Sequence, residues 1–378
     1  MGGGVVGLIF LIITLVGAAV SPKEAFFSYL IAFAYWCGIA FASLILLMSF
    51  HATHARWMTV LRRPVEAMAT SLPIFILLFI PIIFGMKYLY IWVDPSPDLG
   101  KETLRLLAHK RAYLNTTGFI VRGLIFLGLA TFVGWRIYGL SQRQDKEGGT
   151  ELLRRQRVMS AGFLPFVGIA MTFAAFDWMM SLTPTWFSTI YGVYYFAGSF
   201  GAALSLLAIA TDRGHDMFGG NMNVEHTHSI GKLMLAFTCF WTYIAFSQLL
   251  LIWIAGLPEE TPFYITRFKP GWAWIGIFLI FGHFFFPFGA LLSRSLKRNP
   301  SKLAVVGFWI LLVNYVDIFW LVMPALHPEG FSMHWTNFTA FIGVGLLGIA
   351  FGVSRLRGRF PVPVRDPYLP ESLRYRQP

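Results

Sequence analysis

Residues 26–50 read FFSYLIAFAYWCGIAFASLILLMSF, twenty-five positions without one Asp, Glu, Lys, Arg or His. A helix needs about 20 predominantly apolar residues to cross the hydrocarbon of a bilayer, so this stretch is long enough by itself. Working outward from it, nine more apolar runs occupy 3–20, 70–92, 114–138, 159–182, 187–210, 232–256, 271–293, 302–324 and 335–353. The expected fold class is an all-α integral membrane protein with ten transmembrane helices. Barrel strands would be short and alternating, and these runs are neither.

Composition agrees. Only 13% of the 378 residues are charged and 56% are hydrophobic, against about 25% charged in an ordinary soluble domain. That excludes a soluble enzyme, a disordered chain, collagen and a secreted disulfide scaffold. The net charge of +12 suggests nucleic acid only until the charges are located. Loops 51–66, 136–158, 211–232 and 294–302 and the tail after 353 hold 21 of the 30 Lys and Arg. The alternate loops 21–24, 93–113, 183–186, 257–270 and 325–334 hold seven, and Lys87 and Arg122 lie within spans. The basic side is expected to be cytoplasmic, with both termini there. No Lys or Arg precedes the first apolar run, Lys23 being the first, so the run reads as a span and not as a cleaved leader. Cys37 and Cys239 each sit in an apolar run, without CxxC or CxxCH spacing, and read as small hydrophobes. The loop 93–113 contains LGKETLRLLAHKRA, a candidate surface helix for contacts with other subunits. The proline-rich tail is expected to be extended, docked on a partner or mobile.

Two echoes suggest an internal repeat. The fifth run ends Asp177-Trp-Met-Met-Ser-Leu-Thr-Pro184 and the ninth ends Asp317-Ile-Phe-Trp-Leu-Val-Met-Pro324. Tyr90-Ile91-Trp92 and Leu251-Ile252-Trp253, four spans apart, each precede a proline-containing outer loop. A shift of four spans preserves direction, so two parallel four-helix bundles are expected, spans 2–5 and 6–9, with the first and tenth peripheral. The corresponding segments are 1–24 for the first helix and outer turn, 25–186 and 187–330 for the bundles, 331–353 for the tenth helix and 354–378 for the tail.

An ionisable side chain inside the hydrocarbon is costly and functional by default. Lys87, Arg122, Asp177, His283 and Asp317 qualify. At about 1.5 Å per residue, Asp177 and Asp317 lie about 10 Å inside the outer boundary, with Arg122 at similar depth. Arg122 is expected to face Asp177, and His283 to face Asp317. Arg cannot release its proton, so the first pair reads equally as a static ion pair. The second contains His, which exchanges a proton near neutrality, and reads as a relay or a satisfied core hydrogen bond. Lys87 is near enough to its helix end to snorkel outward. Polar stripes accompany these residues: Asn314 with Asp317, Thr238 with Thr242, and Tyr191, Tyr195 and Ser199 at helical spacing. At the inner surface Glu225-His226-Thr227-His228 opens the seventh span, as a helix entrance or the mouth of a proton path. His51 and His54 end the second. Two His and a Glu are weak evidence for a metal. No GxSxG, HExxH, Walker or GxGxxG pattern occurs in a supporting context.

The segment Phe176-Asp-Trp-Met-Met-Ser-Leu-Thr-Pro-Thr-Trp-Phe-Ser-Thr-Ile-Tyr-Gly-Val-Tyr194 resembles one found in the ActF-type membrane subunit of bacterial alternative complex III, a quinol:cytochrome c (or electron-acceptor) oxidoreductase. Arg62-Arg-Pro-Val-Glu-Ala67, the run FWTYIAFSQLLLIW at 240–253 and Leu257-Pro-Glu-Glu-Thr-Pro262 agree with it, so the likeness spans about residues 30–350. It implies a fold related to the NrfD/polysulfide-reductase membrane subunits, with ten helices and two four-helix bundles. It implies a subunit of an oxidoreductase complex in the bacterial inner membrane, not catalytic alone, which scaffolds the complex and offers proton paths. Haem c, iron–sulfur clusters and quinol would sit on partners: pentahaem and monohaem cytochrome c subunits, an iron–sulfur subunit and an NrfD-like quinol-binding sister. By the resemblance Asp177 carries over with its motif. Asp317, His283, Lys87, Arg122, Glu225 and His226 are proton-transfer candidates on the burial and interface arguments alone. The chain departs from the pattern at His51–Trp57, where the family often has Gly-Gly. Cys37-Gly-Ile-Ala40 stands where the sister subunit has Gly-His-Ala-Gly, which favours the ActF type. Two rival readings are a quinol-binding catalytic subunit, with Asp177 taking the quinol proton between Tyr191 and Trp178, and a stand-alone secondary transporter.

Overall fold

A computed structural model gives the structure of the chain and describes residues 2–213 and 222–376. Among these every regular element is helical. Nine helices are long and apolar enough to cross a membrane, or ten when one bent pair counts as a single span. In chain order they are α1 (Gly2–Val20), α2 (Pro22–Ala52), the bent α3 (Arg62–Leu78 with Ile80–Leu89), α4 (Thr116–Glu147) and α5 (Glu151–Trp178). There follow α6 (Tyr191–Arg213), α7 (Val224–Ala255), α8 (Trp272–Leu292), α9 (Pro300–Val322) and α10 (Thr336–Ser354). The inner loop expected at 211–232 lies partly outside the described residues.

Each apolar run coincides with a helix, but several helices run further. α4 and α7 have 32 residues each, about 48 Å at 1.5 Å per residue, well beyond a hydrocarbon core of about 30 Å. The extra turns are polar, so hydropathy does not find them. Charged neighbours one turn apart support the last turn of α4, Arg143 with Glu147, and the first of α5, Arg155 with Glu151, both at 3.0 Å. Gly148 and Gly149, at φ 69° and 78°, turn α4 into α5 in the left-handed region that glycine enters freely.

Two spans are irregular because of proline. The parts of α3 meet at 58°; Pro81 offers no N–H to the carbonyl four residues back and its ring crowds that carbonyl. In α8 a π-helical turn covers Ile280–Phe285. Pro287 follows it and denies the His283 carbonyl its helical donor.

The helix α2 is the hub. Its apolar window is 94% buried, so it touches almost no lipid. It packs on α3, α5, α6, α9 and α10. The helix α4 lies on α3 and α5, while α6 contacts α5, α7 and α9, and α8 lies against α7 and α9. At the periphery α1 leans on α10, where Thr14 Oγ1 donates to Thr339 Oγ1 at 2.8 Å. That seam is close: a Cβ on Gly343 would sit 2.8 Å from the Leu11 backbone nitrogen. Gly343→Ala should therefore cost about 1–3 kcal/mol, as overpacking does. The readout is a lower melting midpoint in detergent; an unchanged midpoint would show that α1 moves away freely.

The two sets of loops meet at opposite ends. At one, Glu24 Oε1 reaches His327 Nε2 at 2.6 Å, and Lys110 Nζ, which closes the surface helix Lys101–Lys110, donates to the Pro184 carbonyl at 2.7 Å. At the other the tail, expected to be extended and docked on a partner or mobile, folds back on its own chain and forms a helical turn. Its short helix Leu369–Leu373 sits on Arg56–Thr59. Ser372 Oγ donates to the Trp57 carbonyl at 2.8 Å and accepts from the Val60 N–H at 3.2 Å. Ser372→Ala removes both bonds, each contributing about 1 kcal/mol. Limited proteolysis should then clip the tail several-fold faster; an unchanged rate would mean that the Trp57–Tyr375 stack and the Arg62–Asp366 ion pair hold it without Ser372.

Candidate functional site

Asp177 ends α5 and is fully buried. Arg122 reaches it from α4 with two bonds, Nε to Oδ2 at 2.8 Å and Nη2 to Oδ1 at 3.1 Å. The guanidinium lies 3.9 Å from the centre of the Tyr113 ring, so one face is covered by an aromatic and the edge by the carboxylate. Neighbouring tryptophans fix the end of α5: Tyr90 donates to the Trp178 carbonyl at 3.0 Å and Trp92 Nε1 to the Ser181 carbonyl at 3.1 Å. The expected Arg122–Asp177 juxtaposition is present, with the bidentate geometry of a fixed ion pair.

Asp317 on α9 occupies the corresponding place in the second echo, and its surroundings differ. No cation pairs with it among the described residues. Tyr194 on α6 donates its hydroxyl to Oδ1 at 2.6 Å, and Trp241 on α7 donates Nε1–H to Oδ2 at 3.1 Å. His283 does not bond to Asp317, contrary to expectation. Its ring lies against Trp241, centroids 3.8 Å apart, so the indole stands where the imidazole was expected. His283 Nδ1 and Asn314 Oδ1 are buried without a hydrogen-bond partner among the described residues.

Toward the outer end a second charge appears that the sequence reading placed in a loop. Arg267, in the short helix Pro262–Arg267, is buried and donates only to carbonyls: Phe263 at 2.9 Å, Leu321 at 2.7 Å and Trp320 at 3.2 Å. It lies 3.5 Å from the centre of the Phe263 ring. Burial pulls its pKa down to about 10, which leaves it protonated at neutral pH. Tyr191 opens α6 and is buried. Beside it Gln248 Nε2 donates to the Tyr264 hydroxyl at 3.2 Å, and Ser188 donates to Gln248 Oε1 at 3.2 Å. The first site is thus a contact ion pair. The second has an aspartate on neutral donors and a buried arginine on carbonyls, not paired with each other.

No family model matches the chain, and no curated protein matches it either.

Other expected residues are less engaged. Lys87 is exposed, its Nζ 4.8 Å from the Tyr88 ring centre, so it does not belong among the buried charges. Glu225 pairs with Arg298 at 2.8 Å, and His226 Nδ1 accepts the Asn223 N–H at 3.2 Å as part of a capping box. This is the helix entrance, and among the described residues no group of three or more His, Cys, Asp or Glu converges to hold a metal. Thr238 and Thr242 donate back to carbonyls of their own helix.

Sequence reasoning also passed over a buried network at the inner break before α3. Arg63 pairs with Glu66 at 2.6 Å and with Asp145, and donates to Ser141 at 3.1 Å. Arg62 reaches Asp366 of the tail at 2.6 Å and Glu66 at 3.4 Å. The signal was Arg62-Arg-Pro-Val-Glu66, counted as part of a basic loop and as a segment of the family likeness, not as a pairing. An arginine pair three and four residues before a glutamate on one short helix was the clue to an internal pairing.

Proposed function

We propose that this chain is an integral membrane subunit of a respiratory quinol:electron-acceptor oxidoreductase, of the ActF type, which scaffolds the complex and carries protons through its second four-helix group. The 176–194 segment and its companions support the family reading. Within it, α2–α5 and α6–α9 would be two parallel four-helix bundles over 25–186 and 187–330, with 1–24, 331–353 and the tail peripheral. The inner membrane is the setting, with both termini cytoplasmic. Haem c, iron–sulfur clusters and quinol belong to cytochrome c, iron–sulfur and NrfD-like partners.

The observation that carries the proton reading is Asp317: a buried carboxylate with neutral donors and, among the described residues, no paired cation. An aspartate fixed by an arginine holds its charge. One held by Tyr194 and Trp241 can take up and release a proton without breaking an ion pair. Tyr191, Tyr264, Gln248 and Ser188 continue the polar line toward the outer end. Asp177, clamped by Arg122, is assigned the structural role.

A tagged chain purified in mild detergent tests the family reading. A c-type haem spectrum and iron–sulfur and NrfD-like partners in the mass spectrum are expected. A colourless, solitary protein would sink it. The rival reading, a stand-alone secondary transporter, is favoured by one observation, the 58° break in α3, since broken helices line many transporter sites. The same purification separates the two.

A further inference from the structure

A cavity lies at the basic end of the molecule, away from Asp177 and Asp317. It is a cleft of about 230 Å³ between the last turn of α2, the Arg56–Thr59 turn, the first turns of α5 and the folded-back tail. Four guanidiniums border it, Arg56, Arg62, Arg154 and Arg157, against the carboxylates of Glu151 and Asp366. Both carboxylates are engaged, Asp366 by Arg62 at 2.6 Å and Glu151 by Arg154 and Arg155 at 2.9 and 3.0 Å. Positive charge is therefore in surplus.

Three polar groups in the lining are unspent. Arg62 is more than nine-tenths buried, its side chain 7% exposed, yet its Nη2 has no hydrogen-bond partner among the described residues. His51 Nε2 is likewise buried without one. Arg157 is exposed and makes no ion pair among the described residues. Burial, then Arg157 and Arg56, hold the His54 imidazole below its ordinary value, which marks the positive field of the cleft. Leu47, Phe50, Met58 and Leu153 make part of the wall apolar, beside the hydroxyls of Thr59, Thr150 and Tyr368.

We infer that this cleft binds the phosphate of an anionic phospholipid. Guanidiniums recognise phosphate oxygens by paired hydrogen bonds. A basic pocket at the end of the spans, with an apolar part to its wall, suits a headgroup whose acyl chains run alongside α5, which faces outward over most of its apolar length. The site is independent of the proton reading and of the family assignment.

The test uses the full chain in nanodiscs of phosphatidylcholine doped with phosphatidylglycerol, and reads retained phosphatidylglycerol by native mass spectrometry after detergent extraction. Arg154→Gln with Arg157→Gln changes two exposed residues, so folding is not at stake. At about 1 kcal/mol per basic residue near a membrane surface, retention should weaken about thirtyfold. A control pair with the same charge loss, Arg294→Gln with Arg357→Gln, lies outside the cleft and should retain the lipid. Undiminished retention in the cleft variant overturns the inference. So does an equal loss in the control, which would mean diffuse attraction. Displacement of the lipid by inorganic phosphate at equal concentration overturns it too, since that would identify a site for a free anion.

Discussion

Arg122→Met is expected to lower stability by about 3–5 kcal/mol, toward the lower figure because the arginine keeps some solvent contact. The reason is what remains behind. Asp177 is fully buried, and removing its guanidinium leaves a carboxylate without its countercharge in an apolar surround. The double variant Arg122→Met with Asp177→Leu should recover most of the loss, because an apolar pair does not pay the cost of desolvating two charges. Asp177→Leu alone should be damaging, leaving the arginine against Tyr113 only. Denaturation of the detergent-solubilised protein gives the four corners of the cycle. Additive single effects would mean that the two groups do not act as a pair, and would free Asp177 for a chemical role.

Asp317→Asn carries the largest expected functional effect. If the chain serves a proton-moving quinol oxidoreductase, the asparagine variant should retain quinol oxidation and lose most of the protons moved per electron. The amide is nearly isosteric but cannot titrate, so it blocks a relay without opening a cavity. It also has one acceptor oxygen for two donors, Tyr194 and Trp241. One donor is left unpaired, at about 1–3 kcal/mol. Tyr194→Phe serves as the control, since it removes one bond to Asp317 and leaves the carboxyl. An unchanged proton-to-electron ratio in Asp317→Asn, with the control folded, would reduce Asp317 to a structural residue.

The spans were legible in the sequence because lipid-compatible length is a one-dimensional property. The run at 26–50 needs no neighbour to declare itself. The helix ends were not, because the polar turns of α4 and α7 leave the apolar region while the backbone stays helical. Pro81 was visible, yet a proline alone does not say whether a helix kinks slightly or turns through 58°. Arg122 and Asp177 were paired correctly from their depth on adjacent spans. The same argument failed for His283 and Asp317 because depth says nothing about what stands between two helices, and Trp241 stands there. Arg267 was missed for the opposite reason: it lies in a connecting segment, and its burial comes from Phe263, Trp320 and the chain end of α9 closing over it.

The folded-back tail has a consequence for how the protein is made. Arg62 and Asp366 are 304 positions apart, so at about 5–20 residues per second the ribosome delivers the partner roughly 15–60 s after the arginine. Throughout that interval the nascent third span carries Arg62 with only Glu66 close by in sequence. The charge would hold this end of the span at the aqueous face of the insertion machinery until the last segment emerges. Closure of the inner network then becomes a late event in biogenesis, and a ribosome that stops short of Asp366 leaves a chain with its spans made but that latch open.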